Sequence, residues 1–549
     1  MSTVVKAKRL GSKTESLEAE RVHREISNRT RAGKRRMPVN RILRSGTHMT
    51  LDELLTAIPV EKVQGDVGIE IRGLTIDSRQ VSRGDVFVAL VGQTTDGHRF
   101  VTDAVRRGAV AIVSERPPEA AGLTWVQTPD ARTATGRLSA RLAGEPSKLL
   151  DLVGITGTNG KTTTAYLLDS MFRRLAPPSA MMGTVVHSIG AESIPGRHTT
   201  PEAPELQSFL SAAVKAQCRY GALEVSSHGL AQGRVEGTEF ACAVFTNLSR
   251  DHLDFHHDME SYFTAKRMLF ERYLRPRATA VVCVDDTYGI RLAKSLSTPV
   301  CAFGFSADAD IRVEEMEASF EGLDLRIRER GGVRRIKSPL IGRHNALNIL
   351  AAFGAGLCLD FKAEELIQVI EQVHGAPGRY EKVEAGQPFH IIVDYAHTDD
   401  ALRNLLETTR TLPHGKILTV FGCGGDRDIS KRPLMGAVAS RLSDVVILTS
   451  DNPRSENPLS IIHEIELGTK GPRSRADVFI EPDRRRAIEK AISLASEGDV
   501  LLISGKGHES YQVTRNGVSP FDDREVVREI LNGGSVYKNG EQNGPPHTT

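Results

Sequence analysis

The stretch "VGITGTNGKTTTAYLL", Val153 to Leu168, decides how the chain reads. An apolar strand, Leu152 to Ile155, runs through Gly157 and Gly160 into a helical pattern that opens with Lys161-Thr162-Thr163. A strand that turns through glycines into a helix aims backbone N–H groups and a positive dipole end at one point, which suits a phosphate. "GTNGKT" is shorter than the common G-x-x-x-x-G-K-[ST] loop counted from Gly157, although Gly154 to Gly160 brings a glycine spacing back. Leu167, Leu168, Met171, Phe172 and Leu175 line one face of the helix, so packing fixes its start and holds the anion site rigid. Lys161 is placed to neutralise β/γ-phosphates, and the hydroxyl of Thr162 or of Thr163 to hold Mg²⁺.

The rest of the chain frames this loop. Its 549 residues exceed one core and point to three or four domains. Hydrophobic residues make up 40% and charged residues 26%, with no apolar run long enough to span a bilayer. The net charge of +2 hides an asymmetry: residues 1–48 carry 13 Lys/Arg against 4 Asp/Glu, leaving 58 against 65 in the remainder. The folded part is mildly acidic, which argues against nucleic acid as a partner. The six cysteines are scattered without a C-x-x-C pair and read as reduced cytosolic thiols.

Residues 1–48, Arg-rich and poor in large apolar residues, read as a basic, disordered extension, and their four glutamates fit a transit peptide poorly. Short strands, polar turns and a helix from 49 to 146 read as a small α/β unit. Strands and helices alternate over 147–374, and "HGAPGRY" marks a second boundary and a candidate hinge. Over 375–536, "FHIIVDYAH", "KILTVFGCGG", "DVVILTSDNPRSENP" and "DVLLISGKGHE" are apolar β runs, each ending in a polar or glycine-rich loop. Such runs between helices predict a mostly parallel sheet with ligands at the carboxyl ends of its strands. The tail 537–549 reads as disordered.

Further polar groups leave strand ends: Glu224 in "LEVSSHGL", and Asn247, Asp251 and His252 in "FTNLSRDHLDFH". Carboxylates and imidazoles there complete magnesium sites beside nucleotide phosphates, and they serve equally as structural hydrogen-bonders. Lys266 in "SYFTAKRMLFERYL" reads, on its own, as a solvated helix lysine.

"GTNGKTTT", "EVSSHGL", "TNLSRDHLDFH", "AKRMLF", "DYAHTDDAL", "FGCGGDRDISKRPLMG", "DNPRSENP" and "GKGHESYQ" occur in an order that resembles the Mur ligases, most closely the tripeptide-synthetase branch. GTNGKT alone is shared with the sister ligases and folylpolyglutamate synthetases; DYAHT, GCGGDRD and DNPR together are narrower. The resemblance implies an α/β protein of three domains: a small amino-terminal UDP-sugar domain, a central P-loop-type ATPase domain with a mostly parallel sheet, and a carboxy-terminal Rossmann-like domain for the incoming amino acid. It implies a cytoplasmic, monomeric enzyme of peptidoglycan synthesis. The implied reaction is ATP-dependent amide formation on UDP-N-acetylmuramoyl-L-alanyl-D-glutamate through an acyl phosphate.

By the same resemblance, Gly157, Thr158, Asn159, Gly160, Lys161, Thr162, Thr163, Asn345, Asn348 and Arg379 meet ATP. Thr162 and Glu224 belong to one Mg²⁺ site, and His252 to a second beside a carbamylated Lys266. A lysine reacts with CO₂ only after losing its proton, so neighbouring cations would help. Asp394, His397 and Lys431 lie close to the reaction, although the first two also fit ordinary strand-end residues. Ser78, Arg79, Gln93, Thr199, Thr200, Ser226, Gln232 and Arg234 line the sugar-nucleotide path. Arg427, Asp451, Asn452, Pro453, Arg454, Gly505 and Glu509 form the amino-acid pocket. The Arg454 fork suits the extra carboxylate of meso-diaminopimelate, and lysine-adding relatives usually lack it.

Gln93 replaces the family's frequent histidine, and Asp399 replaces a proline in "DYAHTDD", which predicts a looser start to the next helix. Two other readings are an L-lysine-adding ligase and a non-catalytic scaffold. A scaffold would be expected to lose phosphate-loop or metal groups, whereas Lys161, Glu224, His252 and Lys266 are all present.

Overall fold

The computed structural model describes residues 43–44, 48–92, 95–118, 122–472 and 474–533. The tail 537–549, nearly all of the extension 1–48, and Gln93 lie outside the described residues. Within the extension, Leu43–Arg44 pairs antiparallel with Gly73–Thr75. That pairing corrects the expectation of disorder there: the open edge of Gly73–Thr75 offers backbone groups for a short strand to bond.

Three large sheets organise the chain. The first has six strands, and its parallel part runs from Gly73–Thr75 through Asp85–Val88 and Ala109–Ser114 to Thr124–Gln127. The helix Ala131–Leu142 seals its apolar face with Ala134 and Leu138.

The central sheet has eleven strands, with Asp151–Thr156 between Tyr220–Glu224 and Phe240–Phe245. All three are buried along most of their length, which is why each reads as a continuous apolar run. The helix Lys161–Leu175 packs Leu167, Leu168, Met171 and Phe172 against one face together with Arg343–Cys358, while Met259–Arg272 covers the other with Leu269 and Phe270. Two β-hairpin turns extend this sheet antiparallel through Ile311–Ser319, Gly322–Glu329 and Gly332–Ser338.

The third sheet places His390–Asp394, Val500–Ser504, Ile417–Phe421, Val445–Leu448 and Asp477–Ile480 side by side and parallel. The four apolar runs expected from the sequence are the first four of these strands, and their polar loops emerge at one end of the sheet. A hairpin, Tyr511–Thr514 with Gly517–Pro520, folds over that end. The helix after "DYAHT" begins firmly at Asp399: Thr398 Oγ1 caps Ala401 N–H at 3.2 Å, and Asp399 and Asp400 favour the positive helix end. The missing proline therefore does not loosen this start. Among the described residues no helix is long and apolar enough to cross a membrane.

Candidate active site

The phosphate loop follows Asp151–Thr156 and ends at Gly160, the left-handed residue before the helix. A Cβ on Gly157 would stand 1.9 Å from Thr246 Oγ1, and one on Gly160 would stand 2.3 Å from Asn348 Oδ1, so neither position admits a side chain without movement. The loop is clamped from the next strand's end: Asn247 Oδ1 accepts from Asn159 N–H at 3.0 Å, and Thr246 Oγ1 donates to Asn159 C=O at 2.6 Å. Thr158 Oγ1 meets Tyr262 Oη at 3.2 Å. Asn345 and Asn348 are buried and bonded to each other at 3.0 Å, which sets Asn348 beside the loop.

Two lysines converge here. Lys161 Nζ donates to Gly157 C=O at 2.9 Å and to Thr158 C=O at 2.8 Å. Lys266 Nζ, from the helix Met259–Arg272, donates to the same Gly157 oxygen at 2.7 Å and is 1% exposed. Burial pushes both ammonium groups below the usual lysine range, and Lys161 depresses Lys266 further. Glu224 and then Asp251 oppose the shift of Lys161, and Asp251 that of Lys266, none of them bonding to the lysine. The structure thus overturns the solvated-lysine reading of residue 266.

Glu224, buried at its strand end, accepts from Thr162 Oγ1 at 3.0 Å and from Thr184 N–H at 2.9 Å. Thr184 Oγ1 meets Thr199 Oγ1 at 2.9 Å, and Thr200 Oγ1 donates to Glu224 C=O at 2.9 Å. His252 takes a left-handed backbone, φ 54°, a region that histidine enters more readily than most side chains. Its ring lies 6.2 Å from Tyr262, whose ring carries Lys266 Nζ at 4.6 Å. Burial lowers the His252 pKa, with Lys161 and Lys266 contributing. Thr163 is buried in the helix's first turn.

Beyond Glu224, Ser226 caps the short helix Ser227–Ala231, and Thr200 Oγ1 accepts from Ser226 N–H at 2.9 Å. Arg234 donates to Thr200 C=O at 2.8 Å and to Gln232 Oε1 at 2.6 Å. Arg132, from the first unit, reaches Glu202 Oε2 at 3.1 Å and joins the two units at this path. Ser78 is buried at the head of a short 3₁₀ turn, and Arg79 is forked onto Asp77 at 2.8 and 2.7 Å.

In the third sheet, Asp394 accepts from Tyr380 N–H at 2.7 Å and Ala396 N–H at 2.8 Å, so its carboxylate braces two loop segments, while burial pushes its pKa up. Arg379 stacks on Tyr395 at 4.6 Å with Nε unpartnered and buried. His397 Nδ1 sits 2.9 Å from Tyr395 C=O, and Lys431 Nζ donates to His397 C=O at 2.8 Å. Burial and Lys431 lower the His397 pKa.

The amino-acid pocket is drawn from three strand ends. Arg454 has φ 51° and donates to Gly425 C=O at 2.7 Å, beside Asp451, Asn452 and Pro453. Asn452 Nδ2 donates to Glu509 Oε2 at 2.8 Å, and Asp451 Oδ1 is buried without a partner. Burial and Asp451 push Glu509 up, against Lys506. Gly505 turns here with φ 115°, and Arg427 is exposed in the loop after Ile417–Phe421. That loop is held by fully buried Arg432, which forks onto Glu456 at 2.9 Å.

Sequence reasoning missed Thr184, Arg132, Tyr262 and Lys506. Lys506 and Tyr262 carried a signal, lying inside "GKGHE" and "SYFTAKRMLFERYL"; the others depend on contacts distant in sequence.

Mur ligase models match three stretches: the family's catalytic domain at residues 70–141, its middle domain at 155–356 and its glutamate ligase domain at 378–507. A UDP-N-acetylmuramoyl-L-alanyl-D-glutamate–2,6-diaminopimelate ligase of Solibacter usitatus is 45% identical over 492 residues, covering 88% of this chain and 99% of the relative. The ligase of the same name from Geobacter metallireducens is 44% identical over 501 residues, covering 87% and 98%. A solved structure of a ligase with that name superposes with a TM-score of 0.66 at 33% identity, covering 89% of this chain and 99% of the other. MurF of Acinetobacter baumannii, at 20% identity and a TM-score of 0.61 over 88% and 99%, shares the fold.

Proposed function

Because this chain belongs to the Mur ligase family, we propose that it is the ATP-dependent ligase that adds meso-2,6-diaminopimelate to the D-glutamate of UDP-N-acetylmuramoyl-L-alanyl-D-glutamate in peptidoglycan synthesis. The observation that carries this reading is the convergence of Lys161 and Lys266 on one carbonyl oxygen, Gly157 O. Lys161 carries its charge there with no carboxylate bonded to it, which an anion completes, and the buried amine of Lys266 lies beside it.

A carboxylate attacking a triphosphate must overcome like-charge repulsion, and Lys161 with the helix N-terminus offsets it at the phosphates. The side-chain carboxylate of D-glutamate forms a bond to the γ-phosphorus as the bond to ADP breaks. The amine of diaminopimelate then attacks the acyl carbon, gives up a proton, and phosphate leaves from a tetrahedral intermediate. Asp394 keeps the Tyr380 and Ala396 segments in place beside Arg379 and His397, and we assign it that bracing role with Lys431.

Thr162 and Glu224 bring two oxygen donors together at 3.0 Å, which fits Mg²⁺ held by a single carboxylate plus substrate phosphates. Bound there, Mg²⁺ would neutralise phosphate charge. Lys266 suits carbamylation because burial and Lys161 favour its neutral amine, and His252 would share the second metal position. Thr199, Thr200, Ser226, Gln232 and Arg234 form the path by which the dipeptide reaches Glu224, and Ser78 and Arg79 lie toward the uridine end. Arg454 and Arg427 take the far carboxylate of diaminopimelate, and Asp451, Asn452 and Glu509 its ammonium.

The test is phosphate release with ATP, Mg²⁺ and the UDP-muramoyl dipeptide, comparing meso-diaminopimelate with L-lysine. Release with diaminopimelate alone is expected. Release with lysine would discard the Arg454 assignment, and release with neither, from protein that binds ATP, would leave a scaffold.

A further inference from the structure

Lys506 is fully buried at the turn after Val500–Ser504. Its ammonium lies 3.2 Å from Glu509 Oε2, 3.3 Å from Asn452 Oδ1 and 3.9 Å from Asp451 Oδ1. A lysine removed from water is retained only where its charge is compensated, and here two carboxylates from different loops compensate it. The other cations near the pocket bond to neither of these carboxylates: Arg427 is exposed in its loop. Arg484 forks onto Asp523 at 2.8 Å through both Nε and a terminal nitrogen, and Arg454 donates to Gly425 C=O. Tyr395 and Tyr511 face the same carboxylates from the remaining loops and stay protonated, since burial raises both. Lys506 is thus the cation bonded directly to Glu509.

Asn452 is fixed as well. Its Oδ1 accepts from Lys506 and from Val513 N–H at 2.9 Å, which orients Nδ2 toward Glu509. Asp451 Oδ1 stays buried and without a hydrogen-bond partner, the Lys506 ammonium being 3.9 Å away, and so is an acceptor held ready for a donor.

We propose that Lys506 is a positioning residue of the amino-acid pocket: its ammonium holds Glu509 and Asn452 in place and leaves Asp451 Oδ1 open to the ammonium of the incoming amino acid. This rests on the reading of that pocket given above. Without Lys506, two buried carboxylates would face each other with less compensation. The Glu509 carboxyl, already pushed up by burial, would move further up, and its protonated fraction would have less attraction for an ammonium.

The full chain with Lys506→Met is compared with the parent in phosphate release from pH 6.5 to 9. The KM for meso-diaminopimelate is expected to rise about tenfold at pH 7 and to fall back toward the parent value as pH rises, with the KM for ATP unmoved. Glu509→Gln should raise the same KM at every pH alike, and Lys506→Met with Glu509→Gln should be no worse than Glu509→Gln alone. A rise that is equal at all pH values, or shared by ATP, would assign Lys506 to the fold and overturn the proposal. If Lys506→Met does not fold, Lys506→Gln, which keeps a donor without the charge, takes its place. The carboxyl infrared band absent from Glu509→Gln gives a readout independent of turnover. Its titration midpoint should move up in the lysine variant, and an unmoved midpoint would overturn the proposal whichever amino acid the enzyme uses.

Discussion

The phosphate loop and the amino-acid pocket both bury lysines, on opposite electrostatic plans. Lys161 and Lys266 donate only to backbone carbonyls, and among the described residues neither has a carboxylate within ion-pair distance. Lys506 is bonded to Glu509. The first site leaves the Lys161 charge without a bonded carboxylate and suits a polyanion. The second is nearly neutral within itself and suits a zwitterion, whose two charges need separate partners. The difference between binding a triphosphate and binding an amino acid is therefore written in how each lysine is paired.

Several substitutions sharpen that contrast. The largest effect is expected from Lys161→Ala: phosphate release should fall by about a thousandfold, measured in a single turnover, because a cation at the transferred phosphoryl group is lost. Activity within tenfold of the parent would break the phosphate-site half of the comparison. Lys266→Ala should cost about a hundredfold and abolish a carbamate carbon signal that the parent shows with ¹³C-bicarbonate. A parent without that signal would remove the carbamate from the second metal position. Arg454→Ala should raise the KM for diaminopimelate by roughly ten- to a hundredfold, the loss of a charge-assisted pair, with little change for ATP. Equal losses for both substrates would show that the loop, not the carboxylate contact, had failed.

The smallest effect concerns pH. Burial lowers the folded-state pKa of Lys266, so between that value and the unfolded lysine value near about 10.4 the unfolded chain binds more protons. Stability should rise with pH across that window in CO₂-free buffer. Lys266→Met should flatten the slope, read as thermal midpoints at successive pH values.

Much of this contrast was legible in the chain. The phosphate loop, its helix and the four apolar runs of the third sheet announce themselves because strand, turn and helix signals coincide within a few residues. The antiparallel arm Ile311–Ser338 and the hairpin Tyr511–Pro520 did not, since neither offers a continuous apolar run: the arm mixes charged with apolar residues, and the hairpin strands are short, polar and partly exposed. Asp477–Ile480 is a short edge strand with exposed ends and gives little apolar signal. Lys266 shows the limit best. Its neighbours in sequence form an ordinary helix, and its burial comes from a loop 109 positions away. Asp394 could be read as catalytic or as a strand-end residue, and only its two backbone donors favour the bracing role.

The most direct test follows the oxygen. With the D-glutamate side-chain carboxylate labelled with ¹⁸O, ligation through an acyl phosphate at the Lys161 site predicts that the released phosphate carries one labelled oxygen per amide bond formed. Amide formation with unlabelled phosphate would contradict attack of that carboxylate on the γ-phosphorus, and with it the role assigned to the two converging lysines.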